Sequence, residues 1–146
     1  MMISTKGRYA LRLMLDIALN QEKGPVKLID VSKRQNISEK YLEQIVAMLN
    51  KAGYLVSIRG YQGGYRLKNN PNEYNVYDIL VVTEGTMAPV ECLSKGAKEC
   101  PIRDKCVTIK IWEDLYGNIQ KTLSKYTLTD LIGMAQIQNG SIDFII

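Results

Sequence analysis

The 146-residue sequence contains no histidine. This removes the commonest nitrogen ligand of protein metal sites and the side chain most used as a general base near neutral pH. Cysteine is scarce: Cys92, Cys100 and Cys106 are the only three, all inside the stretch ECLSKGAKECPIRDKC from Glu91 to Cys106. Their spacing leaves no Cys-x-x-Cys pair of the kind redox sites and structural zinc sites use. No window approaches the roughly 18 consecutive apolar residues of a membrane span. The start, MMISTKGRYALRLML, lacks the small-residue cleavage site that follows a secretory signal. Both absences place the expected location in the cytoplasm, where thiols are kept reduced, with no membrane partner. There is no Walker pattern, and RGYQGGY from Arg59 to Tyr65 follows a strand pattern but leads into another strand instead of a helix. With no histidine beside a cysteine and no nucleotide motif, the chain reads as a non-enzyme.

What is present is an ordinary globular composition with uneven charge. Hydrophobic residues make up 46% of the chain, enough for the core of one compact domain or a small domain with an appendage. Residues 1–70 carry twelve Lys or Arg against five acids, whereas residues 71–146 carry seven against ten, so the halves are +7 and −3. A basic half beside an acidic one is the electrostatic footprint of a polyanion binder, unless it is only an unevenly charged solvated surface.

Periodicity orders the basic half as helices followed by a hairpin. Ser4 or Thr5 caps a first helix with apolar residues at Leu11, Leu15 and Ala18, Met14 beside them, ending before Gly24 and Pro25. LIDVSKRQ, from Leu28, is a short second helix. Asn36 marks a turn, and Ser38 caps a third helix to about Ala52, stopped by Gly53. On that third helix Leu42, Ile45, Val46 and Leu49 form one stripe, and Lys40, Gln44, Ala47 and Lys51 lie opposite, with Glu43 on the shoulder. YLVSIRG, a glycine turn and YRL then give two short strands. Helix, turn, polar-faced helix and hairpin is the order of a winged helix-turn-helix, whose third helix enters the DNA major groove. The DNA-facing set on this reading is Lys6, Ser38, Lys40, Tyr41, Glu43, Gln44 and Lys51, with Arg59, Gly60, Tyr61, Gln62 and Gly63 at the wing tip. Gln44 has the donor and acceptor pair for adenine, Glu43 accepts from cytosine, and Arg59 fits a guanine edge or a narrow minor groove. The alternative for the wing glycines is a tight hairpin that needs their positive φ.

In the second half NVYDILVVTEG, from Asn75 to Gly85, reads as a short amphipathic helix. From Val107 to about Lys125 a long helix carries Ile111, Leu115 and Ile119 at i, i+4 spacing, with Trp112 and Leu123 widening the stripe. Such a face is covered either by a second copy of the chain or by its own winged domain.

STKGRYALRLMLDIAL, ISEKYLEQIVAMLNKAGYLVSIRGYQGGYRL and the three-cysteine stretch together resemble the Rrf family of bacterial winged-helix transcription regulators, from residue 2 to about residue 132. The resemblance implies a mainly α (α+β) fold: a winged helix-turn-helix domain over 1–84, with the helix-turn-helix at about 28–52 and the wing at about 54–67. It further implies a cysteine segment over 85–106, a dimerisation helix with a short C-terminal helix over 107–132, and a tail over 133–146. The expected partners are a second copy, joined through Ile111, Trp112, Leu115 and Ile119, and a partly palindromic DNA operator. In iron–sulfur members three cysteines ligate the cluster, and Cys92, Cys100 and Cys106 stand at the matching positions. The first half is more similar to members with 2Fe-2S, whereas the seven-then-five cysteine spacing resembles members with 4Fe-4S, and 2Fe-2S is the expectation taken here. One branch uses a histidine three residues after the last cysteine, where this chain has Ile109; another uses an N-terminal acid, where it has Arg8. The fourth ligand is therefore open among Asp104, Glu91, Glu99, Ser94, Thr108, solvent or a small thiol. Three other readings stay beside the cluster: a zinc-stabilised repressor, a metal-free thiol switch tuned by Lys95, Lys98, Arg103 and Lys105, and buried structural cysteines.

Overall fold

The computed structural model describes residues 2–145, with side chains for 2–140. Six helices and one two-stranded hairpin follow in the order α1 (Thr5–Asn20), α2 (Leu28–Gln35), α3 (Glu39–Lys51), β1 (Leu55–Ile58), β2 (Gly64–Leu67), α4 (Val76–Glu84), α5 (Ile109–Ser124) and α6 (Leu128–Ile145). This is the expected mainly helical winged fold, with every element of the first half present.

Helix α1 is the hub, packed against α2, α3, α4, α6 and β2. Ser4 caps it, its hydroxyl accepting from the Gly7 amide, and the Glu84 carboxylate at the end of α4 accepts from the Ser4 amide at 3.0 Å and the Gly7 amide at 3.2 Å. Two orphan donors of the first turn are thereby satisfied. A side chain at Gly7 would meet that carboxylate at 2.3 Å. The buried stripe of α1 is Ala10, Leu13, Met14 and Ile17, and the expected Leu11, Leu15 and Ala18 are only half-buried against it. The apolar residues of α1 span too much of its circumference for spacing alone to pick the inward edge. On α3 the expected stripe of Leu42, Ile45, Val46 and Leu49 is fully inside. Each such buried aliphatic side chain contributes about 1.5–3 kcal/mol.

The hairpin pairs Leu55 with Leu67 and Ile58 with Gly64. Val26, just before α2, joins it through two backbone bonds with Tyr65, at 2.9 and 2.8 Å. This third strand-like contact is absent from the sequence reading, and it fixes the wing to the start of the helix-turn-helix. At the tip Gly60 has φ of 110°, and a side chain at Gly63 would lie 2.1 Å from the Ile58 carbonyl.

Gly85, at φ of 83°, ends α4 and opens a segment whose only regular structure is two single 3-10 turns, at Glu91–Leu93 and Arg103–Lys105. Helix α5 then packs on α4 through Tyr116, Ile119 and Leu123, which meet Val76, Leu80 and Met87. A polar seam runs beside them: the Tyr77 and Tyr116 hydroxyls lie 3.1 Å apart, and Gln120 donates to Tyr77 at 3.2 Å. The chain returns through backbone bonds from Val76 to Tyr126 and from Leu128 to Tyr74, both 2.9 Å. Helix α6 starts on a fully buried Leu128 and does not end where the tail was expected at 133: it continues to Ile145, and Ile146 lies outside the described residues. Met134 and Ile137 on that extension are exposed, so no inward apolar repeat announced it; its backbone is satisfied within the helix. Among the described residues no helix is long and apolar enough to cross a membrane.

Candidate nucleic-acid interface and cysteine segment

The turn between α2 and α3 is built by short-range chemistry. Asn36 adopts the left-handed conformation, φ 54°, which its short polar side chain tolerates. The Ser32 hydroxyl then donates to the Ile37 carbonyl at 2.5 Å, and the Ser38 hydroxyl accepts from the Tyr41 amide at 3.2 Å. From that cap α3 presents Lys40, Glu43, Gln44, Ala47 and Lys51 to solvent. Arg59, Gly60, Tyr61 and Gln62 are exposed at the wing tip, Tyr61 by 92%.

Four of the expected contact residues sit differently. Tyr41 is half-buried, its ring edge-on to Tyr9 with centroids 5.8 Å apart. Gly63 is buried and tightly enclosed, so its place in the wing follows from steric need. Lys6 is half-buried on the first turn of α1. Lys51 stands at the far end of α3 from the turn, eleven residues or about 16 Å along the axis from Lys40.

The structure adds residues that spacing did not select. The Lys27 ammonium lies 5.3 Å from the Tyr61 ring centroid, a cation–π contact joining the start of α2 to the wing tip. The signal for it was Val26, a lone β-branched residue before the helix. Asp16, 2% exposed, accepts from the Arg34 guanidinium at 2.7 and 3.0 Å and from Gln35 Nε2 at 3.0 Å, holding the end of α2 to α1. This pair raises the Arg34 pKa, through the hydrogen bond to Asp16 above all. Asp16, the one acid of α1 and set among apolar residues in LMLDIAL, was the visible trace of that anchor.

All three cysteines are half-buried free thiols. Cys92 and Cys100 line an open cavity of about 620 Å³ together with Glu91, Lys98, Glu99 and Pro101. Cys106 is not in its lining; it ends the second 3-10 turn, its sulfur 3.6 Å from the Thr108 hydroxyl. That hydroxyl above all holds the Cys106 thiol below its ordinary pKa against the opposing effect of burial, and the amides of Thr108 and Ile109 and the charge of Arg103 add to the lowering. Among the described residues no three Cys, Asp or Glu side chains are gathered as a metal site. The expected ligand set is thus not assembled, because nothing in this exposed segment packs Cys106 toward the other two. The donor set still fits an iron–sulfur cluster in kind: three unpaired thiols, one predisposed to ionise, in a segment with little packing of its own.

Nearer its N-terminal end α5 leaves Ile111 57% and Leu115 42% exposed, with Trp112 half-buried. The single stripe expected there is divided, since Ile119 packs inward on the α4 cluster.

A capped helix-turn-helix with a hairpin beside it defines a winged-helix regulator. The sequence profile of the Rrf2 family, an iron-dependent transcriptional regulator, matches residues 3–134. The HTH-type transcriptional regulator IscR of Pectobacterium atrosepticum is 39% identical over 139 residues, 95% of this chain and 84% of that one. Among solved structures, CymR, the global cysteine regulator of B. subtilis, superposes with a TM-score of 0.75 at 37% identity, over 92% of this chain and 98% of that one. IscR of T. potens superposes at 0.73 and 37% identity, over 92% and 88%. The chain belongs to the Rrf2 family of DNA-binding transcriptional regulators, and it is not an enzyme.

Proposed function

We propose that this regulator works as a cytoplasmic homodimer on a pseudo-palindromic operator and senses iron–sulfur cluster status, redox state or nitric oxide through Cys92, Cys100 and Cys106. The carrying observation is the placement of three free thiols in the one weakly packed segment between the winged domain and α5, in a chain 39% identical to IscR. Gln44 and Glu43 read base edges, Lys40 and Lys51 meet phosphates, and Arg59 enters a groove from the wing. Ile111, Trp112 and Leu115 supply the unpartnered face for a second copy, with Ile119 at its edge.

The three thiolates would hold the cluster, 2Fe-2S or alternatively 4Fe-4S, and Glu91 and Glu99, which line the cavity with Cys92 and Cys100, are candidates for the open fourth position. When bound, such a group supplies an iron with one exchangeable ligand and a reversible change of oxidation state. The segment from Gly85 to Thr108 is tied at one end to α4 and at the other to α5, so its order sets the angle at which α5 leaves the winged domain. A bias of about 1–3 kcal/mol between two such angles gives roughly a 5- to 150-fold change in operator affinity. A metal-free thiol switch is the second reading, favoured by the Thr108 contact that lowers the Cys106 pKa; a structural zinc site would need a fourth ligand and a different spacing.

Anaerobic reconstitution with iron and sulfide counting and Mössbauer spectroscopy tests the cofactor, and operator affinity measured with and without it tests the switch. The expected result is a brown protein whose two forms differ at least about fivefold. A colourless protein that binds zinc, or equal affinities with Cys100→Ala indistinguishable from wild type, would remove the sensing function.

A further inference from the structure

We infer that Arg12 is a positioning residue for sequence reading, one that joins the end of α2 to the first turn of α3 and so fixes the pose of the reading helix. This rests on the proposal that α3 reads DNA, and it concerns a residue outside the contact set described above. Arg12 Nε donates to Gln35 Oε1 at 3.1 Å, and its Nη2 donates to the Gln35 backbone carbonyl. That carbonyl is among the last four of α2, which have no partner within the helix, so a guanidinium there both satisfies an acceptor and meets the negative end of the helix dipole. The amide nitrogen of the same Gln35 donates to the buried Asp16 at 3.0 Å, which holds the acceptor still. On its other side the guanidinium lies 5.1 Å from the centroid of the Tyr9 ring. Tyr9 in turn meets the Tyr41 ring edge-on, at 5.8 Å and 88°. Tyr41 is in the first turn of α3, its amide held by the Ser38 cap. One guanidinium therefore bridges both sides of the Asn36–Ser38 turn, with its planar fork toward α2 and its charge over the Tyr9 ring.

The use toward α2 depends on the shape of the group and not on its charge alone. A lysine keeps the charge but lacks the fork. The opposite role, a phosphate contact by an exposed arginine, depends mainly on charge and acts on every sequence alike. The two roles separate cleanly. The full-length protein would be used with two probes: a duplex selected by the wild-type chain from a random pool, and a random-sequence duplex of the same length. Arg12→Ala, Arg12→Lys and Tyr9→Leu should each weaken the selected duplex about tenfold, the order of one lost base contact, while Tyr9→Phe, which keeps the ring, binds as wild type. Affinity for the random duplex should change by less than about twofold, with the salt dependence unaltered. Circular dichroism confirms folding, and if Arg12→Ala does not fold, the Arg12→Lys and paired Tyr9 variants carry the test. Wild-type affinity for Arg12→Lys beside a loss for Arg12→Ala on both duplexes and a flatter salt slope would make Arg12 a phosphate contact and overturn the inference, as would full affinity in every variant. Gln44→Ala guards the underlying reading: no loss on the selected duplex would show that α3 does not read the bases, whatever the Arg12 variants do.

Discussion

Tyr74 shows how much one polar group inside a small core can carry. Its hydroxyl accepts from the Asn69 amide at 2.8 Å and donates to the Tyr54 carbonyl at 3.0 Å, while its ring packs edge-on against Tyr54 at 5.2 Å. Burial raises the pKa of both phenols above the ordinary tyrosine value, with Asp78 adding to the effect at Tyr54. The sign follows directly. Below about pH 10 both phenols are neutral in the folded and unfolded chains and the stabilisation is complete; above it the unfolded chain ionises first, and stability is lost as pH rises through the raised folded values. Urea midpoints should therefore fall from about pH 10 upward. Tyr74→Phe should cost about 1–3 kcal/mol at pH 8, because a donor and an acceptor lose their partner, yet show a shallower fall in alkali. Equal alkaline slopes for the two proteins would show that this phenol does not titrate with folding. Neither tyrosine stood out in the sequence, since the bonds they make join residues up to twenty positions apart.

At the level of elements, the helices and the hairpin were legible because each carries its own punctuation: Ser4 and Ser38 as caps, Asn36 in a left-handed turn, Gly53 and Gly85 after helix ends. What stayed hidden was relational. The Val26–Tyr65 bridge, the Glu84 carboxylate on the first turn of α1 and the Lys27–Tyr61 contact each need the tertiary fold before the partners meet. The wing glycines illustrate the difference. Spacing offered both a DNA approach and a tight turn, and Gly63 is enclosed against Ile58 whatever the wing touches. Gly63→Ala should break the hairpin tip without unfolding α1–α3. Hydrogen exchange would show faster loss of protection at the Val26 and Tyr65 amides with the α3 amides unchanged, and operator affinity should fall about tenfold if the wing contributes one specific contact. Unchanged protection at Tyr65 would mean the tip is looser than its geometry implies. The cysteine segment was legible in composition but not in arrangement. Its charged residues announced exposure, whereas the separation of Cys106 from the other two thiols reflects the absence of packing that any pattern could encode.

For the whole molecule the open question of which surface α5 covers is half answered within one chain. Tyr116, Ile119 and Leu123 face α4, and Ile111 and Leu115 face solvent. Ile111→Glu combined with Leu115→Glu should leave the thermal midpoint of the winged domain in place while converting a dimer to monomers in sedimentation equilibrium, and operator binding should then weaken by at least about a hundredfold as two linked half-site contacts become one. A double variant that stays dimeric would move the interface elsewhere. The seam between α4 and α5 has a mechanical consequence. It is closed by a few apolar contacts and by the Tyr77, Tyr116 and Gln120 side chains, whose hydrogen bonds can be exchanged for water at little cost. Sixteen residues of helix make a lever arm of about 24 Å, so a swivel of about 8° at its base displaces the far end by roughly 3.4 Å, the rise of one base pair. In the dimer proposed above, clasped along α5, that is enough gearing to move the proposed reading helix out of register with its half-site while every element in the core stays where it is.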